Sequence, residues 1–485
     1  METQLPKVTQ DRLRICVDFL LAALGAFVVW NAVRWSLEPG LYLYVDEVGN
    51  LSRFIDFSYL QNASLLPTWI YNDRPIGFAL ERLLYDFFGF NYTHQLSAFL
   101  VFHFANCAMG FVLFRRLGVS VPLSLAGIGL YGGLWTTAQT ATYIGAVFDV
   151  VGLFFLLGSI LAFLSDSRGS TLVSAFLFFL ALRTKEFAIV TPVLLVVLGM
   201  RTLGGRALLS RVWPHFLIAA VIGLRYLSLW PRFMEVAGSK DPYHAELSAR
   251  VILDSLSYYT ALIVSVGDTS AWSVALACFG AATLAYGLWR RNYGLLFSLA
   301  AYVMFLLPVS ILPGIRAPIY VYAPQMFLIL AGVILVDDFS TNIFKQPAAR
   351  WVTSVGVSAA LLAWTVNLQM SPVFKDGTTF FLTARRISAT TAQSAQEILP
   401  SLGPGTHIYL NHGHETPWLL IAGPCDYFKL VTKQTSITCF LGQEKNALES
   451  AYQQEKGPKL LLDYNNGSLS VATSVGPTVP IMGAR

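Results

Sequence analysis

Charge is what this sequence has least of. Only 13% of its 485 residues are Asp, Glu, Lys or Arg, while 55% are hydrophobic. An average soluble domain carries about 25% charged residues, so the shortage excludes an ordinary soluble enzyme. Other absences narrow the field further. The net charge of +5 comes with no basic block, so nucleic acid is not an expected partner. There is no P-loop, no glycine-rich dinucleotide motif, no hydrolase nucleophile elbow and no zinc signature. The five cysteines lack metal-ligand spacing. Cys16, Cys107 and Cys278 lie in or beside apolar runs, whereas Cys425 and Cys439 lie in a polar tail and can pair if that tail meets an oxidising compartment. No internal repeat and no low-complexity segment is present.

What the chain does have is long apolar runs. Windows of about 20 apolar residues, the length that crosses a bilayer as helix, fall near 15–33, 94–114, 119–136, 141–164, 170–183, 187–200, 212–230, 270–289, 294–312, 318–336 and 352–370. The first has no small-residue cleavage site after it and reads as a retained span. The expected fold class is therefore an all-α polytopic membrane protein of about eleven helices. The 34 Phe and 21 Tyr suit lipid-facing surfaces and interfacial belts. Lys7, Arg12, Arg14, Arg115, Arg116, Arg168, Arg201, Arg206, Arg211, Arg290, Arg291, Lys345 and Arg350 all fall on one side under this span count. The positive-inside rule makes that side cytoplasmic. The N-terminus is then cytoplasmic, and the loops at about 34–93 and 231–269 and the tail after 371 are external.

The first external loop is patterned. Val48, Leu51, Ile55 and Tyr59 make one helical stripe. Pro75 opens a second, with Ile76, Leu80, Leu83, Leu84 and Phe87. Both are expected to be interfacial helices lying on the bilayer, with a third near 247–265. The tail combines a polar helix at about 382–398 with short β-like runs at 407–410 and 460–462. It reads as a small external α/β domain, 371–485, after a transmembrane domain, 1–370.

Few residues can carry chemistry. Asp46 and Glu47 follow the first span, where a carboxylate can take a proton from an acceptor as general base; the pair also fits a solvated turn. Asp73 and Arg74 precede Pro75. Asp73 fits a helix-start cap and Arg74 a snorkelling cation, or the two fit an acceptor site and a lipid phosphate. Arg183, Lys185 and Glu186 put charge at the outer end of two short spans, against the positive-inside trend, and charge at membrane depth marks a functional site by default. Arg225 lies inside a span, and Arg316 sits in a short external turn before Tyr320 and Tyr322, which also fit belt aromatics. His94 and His103 read as structural. Asp149 is a buried carboxylate without an evident role, and Asp337–Asp338 falls on the cytoplasmic side.

Several of these stretches resemble one family. The runs Asp73-Arg74-Pro75-Ile76, Phe88-Gly89-Phe90-Asn91, His94 and Leu113-Phe114-Arg115-Arg116-Leu117-Gly118 are similar to a run in GT-C membrane glycosyltransferases of the TMTC type and their bacterial relatives. Leu182-Arg183-Thr184-Lys185-Glu186 with Pro192 looks like that group's Lys-Glu motif. Phe305-Leu306-Leu307-Pro308, Arg316 and Tyr320-Val321-Tyr322-Ala323-Pro324 look like a later one. Tyr44-Val45-Asp46-Glu47 resembles the acidic first-loop motif shared with protein O-mannosyltransferases. The resemblance spans about residues 10–340. It departs where His94-Gln95-Leu96-Ser97 replaces a pattern containing Asn, and where no tetratricopeptide repeats follow the spans.

The resemblance implies an inverting transferase that moves a sugar from a polyprenyl-phosphate donor to a glycan, lipid or protein acceptor at the external face. Asp46 would be the base, Glu47 its support or co-base, and Asp73 a neighbour of the acceptor. Lys185, Arg316, Arg74 and Arg225 would hold the lipid phosphate, with Glu186, Tyr320 and Tyr322 lining the donor site. No cofactor is required, and a divalent metal is left open. Compact length and missing repeats point to a bacterial inner membrane. A transporter or flippase for lipid-linked sugars and a non-catalytic assembly scaffold are the alternatives.

Overall fold

A computed structural model describes residues 7–52, 59, 66–68, 74–167, 169–200, 202–236, 244–264, 269–420, 425–455 and 457–475. Asp73, Ile55, Arg168 and Arg201, singled out above, lie outside the described residues.

Each of the eleven apolar windows is occupied by a helix. In chain order the helices are α1 (Lys7–Val33), α2 (Asp46–Ser52), α3 (Pro75–Phe88), α4 (Tyr92–Arg116), α5 (Val121–Gly133), α6 (Trp135–Ala141), α7 (Val147–Phe163), α8 (Ser170–Thr184) and α9 (Thr191–Gly199). They continue as α10 (Gly205–Val236), α11 (Ala249–Val264), α12 (Thr269–Arg290), α13 (Tyr293–Ser310), α14 (Tyr322–Ile343), α15 (Pro347–Gln369) and α16 (Pro372–Ile398). Among the described residues seven spans are long and apolar enough to cross a membrane, and Val121–Gly133, Ser170–Thr184 and Glu186–Gly199 are shorter apolar helices. The chain is an integral membrane protein.

Burial sorts the spans into a centre and a rim. In the span Ile144–Phe163, 72% of the apolar window is buried within the protein, against 17% in Gly205–Pro231. α7 is therefore a central post, while α10 turns Leu217, Leu224 and Leu227 outward. Close approach at the centre needs small residues. A Cβ at Gly77 of α3 would lie 2.4 Å from Cδ1 of Phe148 on α7, so only glycine lets α3 lie this close to α7 without moving that ring. α3 starts with Pro75 at its first turn and stops at Gly89, whose positive φ of 56° suits glycine and whose N–H donates to the Tyr85 carbonyl.

α2 has the expected helical stripe but not the expected neighbour. Its Val48 and Leu51 are 1% and 2% exposed, facing the protein core and not a bilayer surface. The tail covers this region. α16 is capped by Ser371 and leads into a sheet of strands β1 (His407–Asn411), β2 (Thr438–Gly442), β3 (Lys459–Asn465) and β4 (Ser468–Val475), in the order β2-β1-β3-β4. β1 is parallel to β2 and β3, and β4 is antiparallel to β3. Two further helices, α17 (Asp426–Thr432) and α18 (Lys445–Gln454), make the crossovers. Cys425 and Cys439 form a disulfide, their Cα atoms 5.3 Å apart. α17 packs on α2. The ring of Tyr427 on α17 meets those of Tyr42 and Phe90 at centroid distances of 6.4 and 5.9 Å, so the tail is docked on the first loop by aromatic packing.

Candidate functional site

The site begins with a strained turn. Val45 has φ of +48°, the left-handed region that a β-branched residue rarely enters. Its N–H donates to the Trp418 carbonyl at 3.0 Å, and its own carbonyl accepts from Val48 and Gly49 as α2 starts. Asp46 is the first residue of α2 and is exposed. Its N–H donates to the Tyr143 hydroxyl at 3.3 Å. No described residue bonds to or pairs with its carboxylate. Tyr143 lies just before the α7 span; burial first, and then the charge of Asp46, raise its pKa well above the ordinary phenol value.

Glu47 points the other way. Its Oε2 accepts from Nη1 of Arg385 at 2.8 Å and from the Tyr44 N–H at 3.0 Å. Its Oε1 accepts from Nη2 of Arg385 at 2.7 Å and from the Ile144 N–H at 2.8 Å. The side chains of Arg385 and Glu47 are 1% and 0% exposed. Nη1 of Arg385 also donates to the Tyr42 carbonyl and Nη2 to the Thr142 carbonyl, at 3.0 and 3.2 Å. The guanidinium lies 3.9 and 4.5 Å from the ring centroids of Tyr92 and Tyr44. The expectation that Glu47 shares proton chemistry with Asp46 therefore meets a correction: four N–H donors take its two oxygens, and no face of it is open to a substrate.

A second charged cluster lies at the start of α7. Arg74, at the N-cap of α3, donates from Nε and Nη2 to Oε2 and Oε1 of Glu186 at 3.0 and 2.7 Å. Their side chains are 19% and 39% exposed. Burial opposes the charge on Arg74, but Glu186 outweighs it and holds the guanidinium pKa above its ordinary value. Arg74 also sits over the Phe148 ring at 5.1 Å. Lys185 leaves the helical conformation at the end of α8, with φ −151° and ψ 133°, and its Nζ donates to Oδ2 of Asp149 at 3.0 Å. This pair is buried, at 4% and 6% exposure, and Nζ stands 5.2 Å from the Tyr320 ring. Asp149 thus has a partner. The two clusters are joined through the chain, because Thr142, Tyr143 and Ile144 contact the Asp46 turn and Asp149 follows in the first turn of α7.

Other expected site residues are engaged elsewhere. Tyr322 is fully buried; its hydroxyl meets Nδ1 of His103 at 2.9 Å and accepts from Asn106 at 3.2 Å. That network lies inside the bundle and corrects the expectation that Tyr322 lines a donor site. It also gives His103 the structural part expected of it. Arg225 donates to the Pro67 carbonyl at 2.7 Å and to Ser228. Arg316 pairs with Asp254 and lies 5.3 Å from the Tyr258 ring. Among the described residues no group of three or more His, Cys, Asp or Glu side chains is placed to hold a metal ion.

Arg385, Tyr143 and Trp418 were not anticipated. One signal for Arg385 was present: Ala384, Arg385, Ser388, Thr391, Ala392 and Ala395 form a face at helical spacing, all buried, and a lone arginine among small residues on a packing face needs a carboxylate.

No family model matches the chain, and no curated protein matches it. Among solved structures, the chain is similar to ArnT from Cupriavidus metallidurans in a crystal structure of the apo state, with a TM-score of 0.46 and 15% sequence identity, over 92% of this chain and 93% of that one. That degree of likeness assigns no activity and no residue role here.

Proposed function

We propose that the chain is a GT-C-type membrane glycosyltransferase that moves a sugar from a polyprenyl-phosphate donor to an acceptor hydroxyl at the external face, with inversion. The observation that carries this reading is an exposed carboxylate, Asp46, unpaired among the described residues and set on a strained turn whose contacts with Thr142–Ile144 lead along the chain to the Arg74–Glu186 and Lys185–Asp149 pairs. The acceptor oxygen attacks the anomeric carbon while Asp46 takes its proton. The bond from the anomeric carbon to the phosphate oxygen breaks on the opposite face, and polyprenyl phosphate leaves carrying the electron pair. Arg74 and Lys185 meet the charge that develops there. A phosphate, like a carboxylate, can accept two N–H bonds from an arginine fork, so it can take the half-exposed place of Glu186 against Arg74. Lys185 supplies an ammonium fixed in place by Asp149, which balances its charge. Arg225 bonds the Pro67 carbonyl and Arg316 pairs with Asp254, and this step is written without them.

The test is to incubate the purified protein with a panel of polyprenyl-phosphate sugars and candidate acceptors. Consumption of one donor with release of polyprenyl phosphate supports the reading. No consumption of any donor overturns it, and transbilayer movement of an intact donor would favour the transporter.

A further inference from the structure

We propose that Arg385 is the positioning residue for Asp46, so that the tail completes the site. This rests on reading Asp46 as the base. Arg385 cannot itself take a ligand. Its two terminal nitrogens make four bonds, to the two oxygens of Glu47 and to the carbonyls of Tyr42 and Thr142, and its side chain is 1% exposed. What it holds is the frame around Asp46. Tyr42 and, through Glu47, the Tyr44 N–H lie on the chain entering the turn. Thr142 and, through Glu47, the Ile144 N–H flank Tyr143, whose hydroxyl receives the Asp46 N–H. One guanidinium therefore pins both strands of backbone that fix Asp46. The Trp418 carbonyl, also in the tail, takes the Val45 N–H.

The strain at Val45 makes this frame consequential. A non-glycine residue in the left-handed region is strained and persists only where its surroundings over-determine it. Without the guanidinium fork, Glu47 is a buried charge lacking its counter-ion, and the turn relaxes. The carboxylate of Asp46 then moves, and a displacement of about 1 Å at a reacting group can cost about 100-fold in rate. Lysine cannot replace arginine here, because a point charge does not reach four acceptors in one plane.

The test uses the full chain in detergent or nanodiscs, as Arg385→Ala, Arg385→Lys and the double variant Glu47→Leu with Arg385→Met. The double variant removes both charges, which usually preserves folding. Hydrogen exchange is expected to accelerate at about residues 45–49 in every folded variant, with the sheet of the tail unchanged. Per folded molecule, kcat should fall about 100-fold with KM little changed, and added guanidinium should restore part of the kcat of Arg385→Ala but not of the double variant. A merely structural clamp would lower the amount of folded protein and leave kcat per folded molecule intact. Unaltered exchange at 45–49, or unaltered kcat in a folded variant, overturns the proposal. If the unmodified protein consumes no donor, the glycosyl-transfer reading fails, while the exchange measurement still decides whether Arg385 holds the turn.

Discussion

Glu47–Arg385 and Glu186–Arg74 are one chemical device in two settings. Each is a two-pronged arginine–carboxylate pair with a shortest N···O distance of 2.7 Å. The first is 0% and 1% exposed, and its spare oxygens and N–H groups are filled by the backbone. The second is 39% and 19% exposed. A charge pair out of water is tolerable only when every polar atom has a partner, and it then holds its elements in one arrangement. A half-exposed pair is screened, and a second anion can displace its carboxylate. The closed pair fastens the tail to the first loop; the open pair leaves Arg74 within reach of solvent, as the proposed phosphate seat requires.

The comparison can be broken at several points. Glu47→Gln leaves Arg385 buried without a counter-charge and should destabilise the protein by about 3–5 kcal/mol, seen as a lower thermal midpoint and lower yield of folded protein. Arg74→Ala should weaken binding of polyprenyl phosphate about tenfold, or about 1.4 kcal/mol, in a titration with that lipid. Glu186→Gln should change stability by less than about 1 kcal/mol and leave polyprenyl-phosphate binding as strong or stronger. A loss as large as that of Glu47→Gln would erase the distinction between the pairs. Asp254→Asn should have the smallest effect, below about 1 kcal/mol, because its pair with Arg316 is 64% and 30% exposed.

The membrane architecture was legible because it depends on one-dimensional facts: uncharged runs of span length, and prolines and glycines at their ends. The α2 stripe was legible as a helix, but lipid and protein core are both apolar, so its pattern could not say which it faces. Asp149 stood out as a carboxylate in a span, yet its partner Lys185 is 36 positions away and becomes a neighbour only when α7 packs on α8. Arg385 was hidden for a related reason. It follows Glu47 by 338 positions and sits beside Arg386 in a helix that reads as solvated, while Arg386 does stay exposed and pairs with Glu38. Tyr320 and Tyr322 looked equivalent in sequence. The start of α14 between them sends Tyr320 to Lys185 and Tyr322 into the bundle.

The most direct measurement is sugar transfer by Asp46→Asn against the unmodified protein, using whichever polyprenyl-phosphate donor the unmodified protein consumes. The exposed carboxylate has no partner among the described residues, so stability and membrane insertion should not change. Loss of a positioned general base should lower transfer by about 100-fold or more, with polyprenyl-phosphate binding intact. Full transfer activity in a folded Asp46→Asn protein would contradict the assignment of Asp46 as the base.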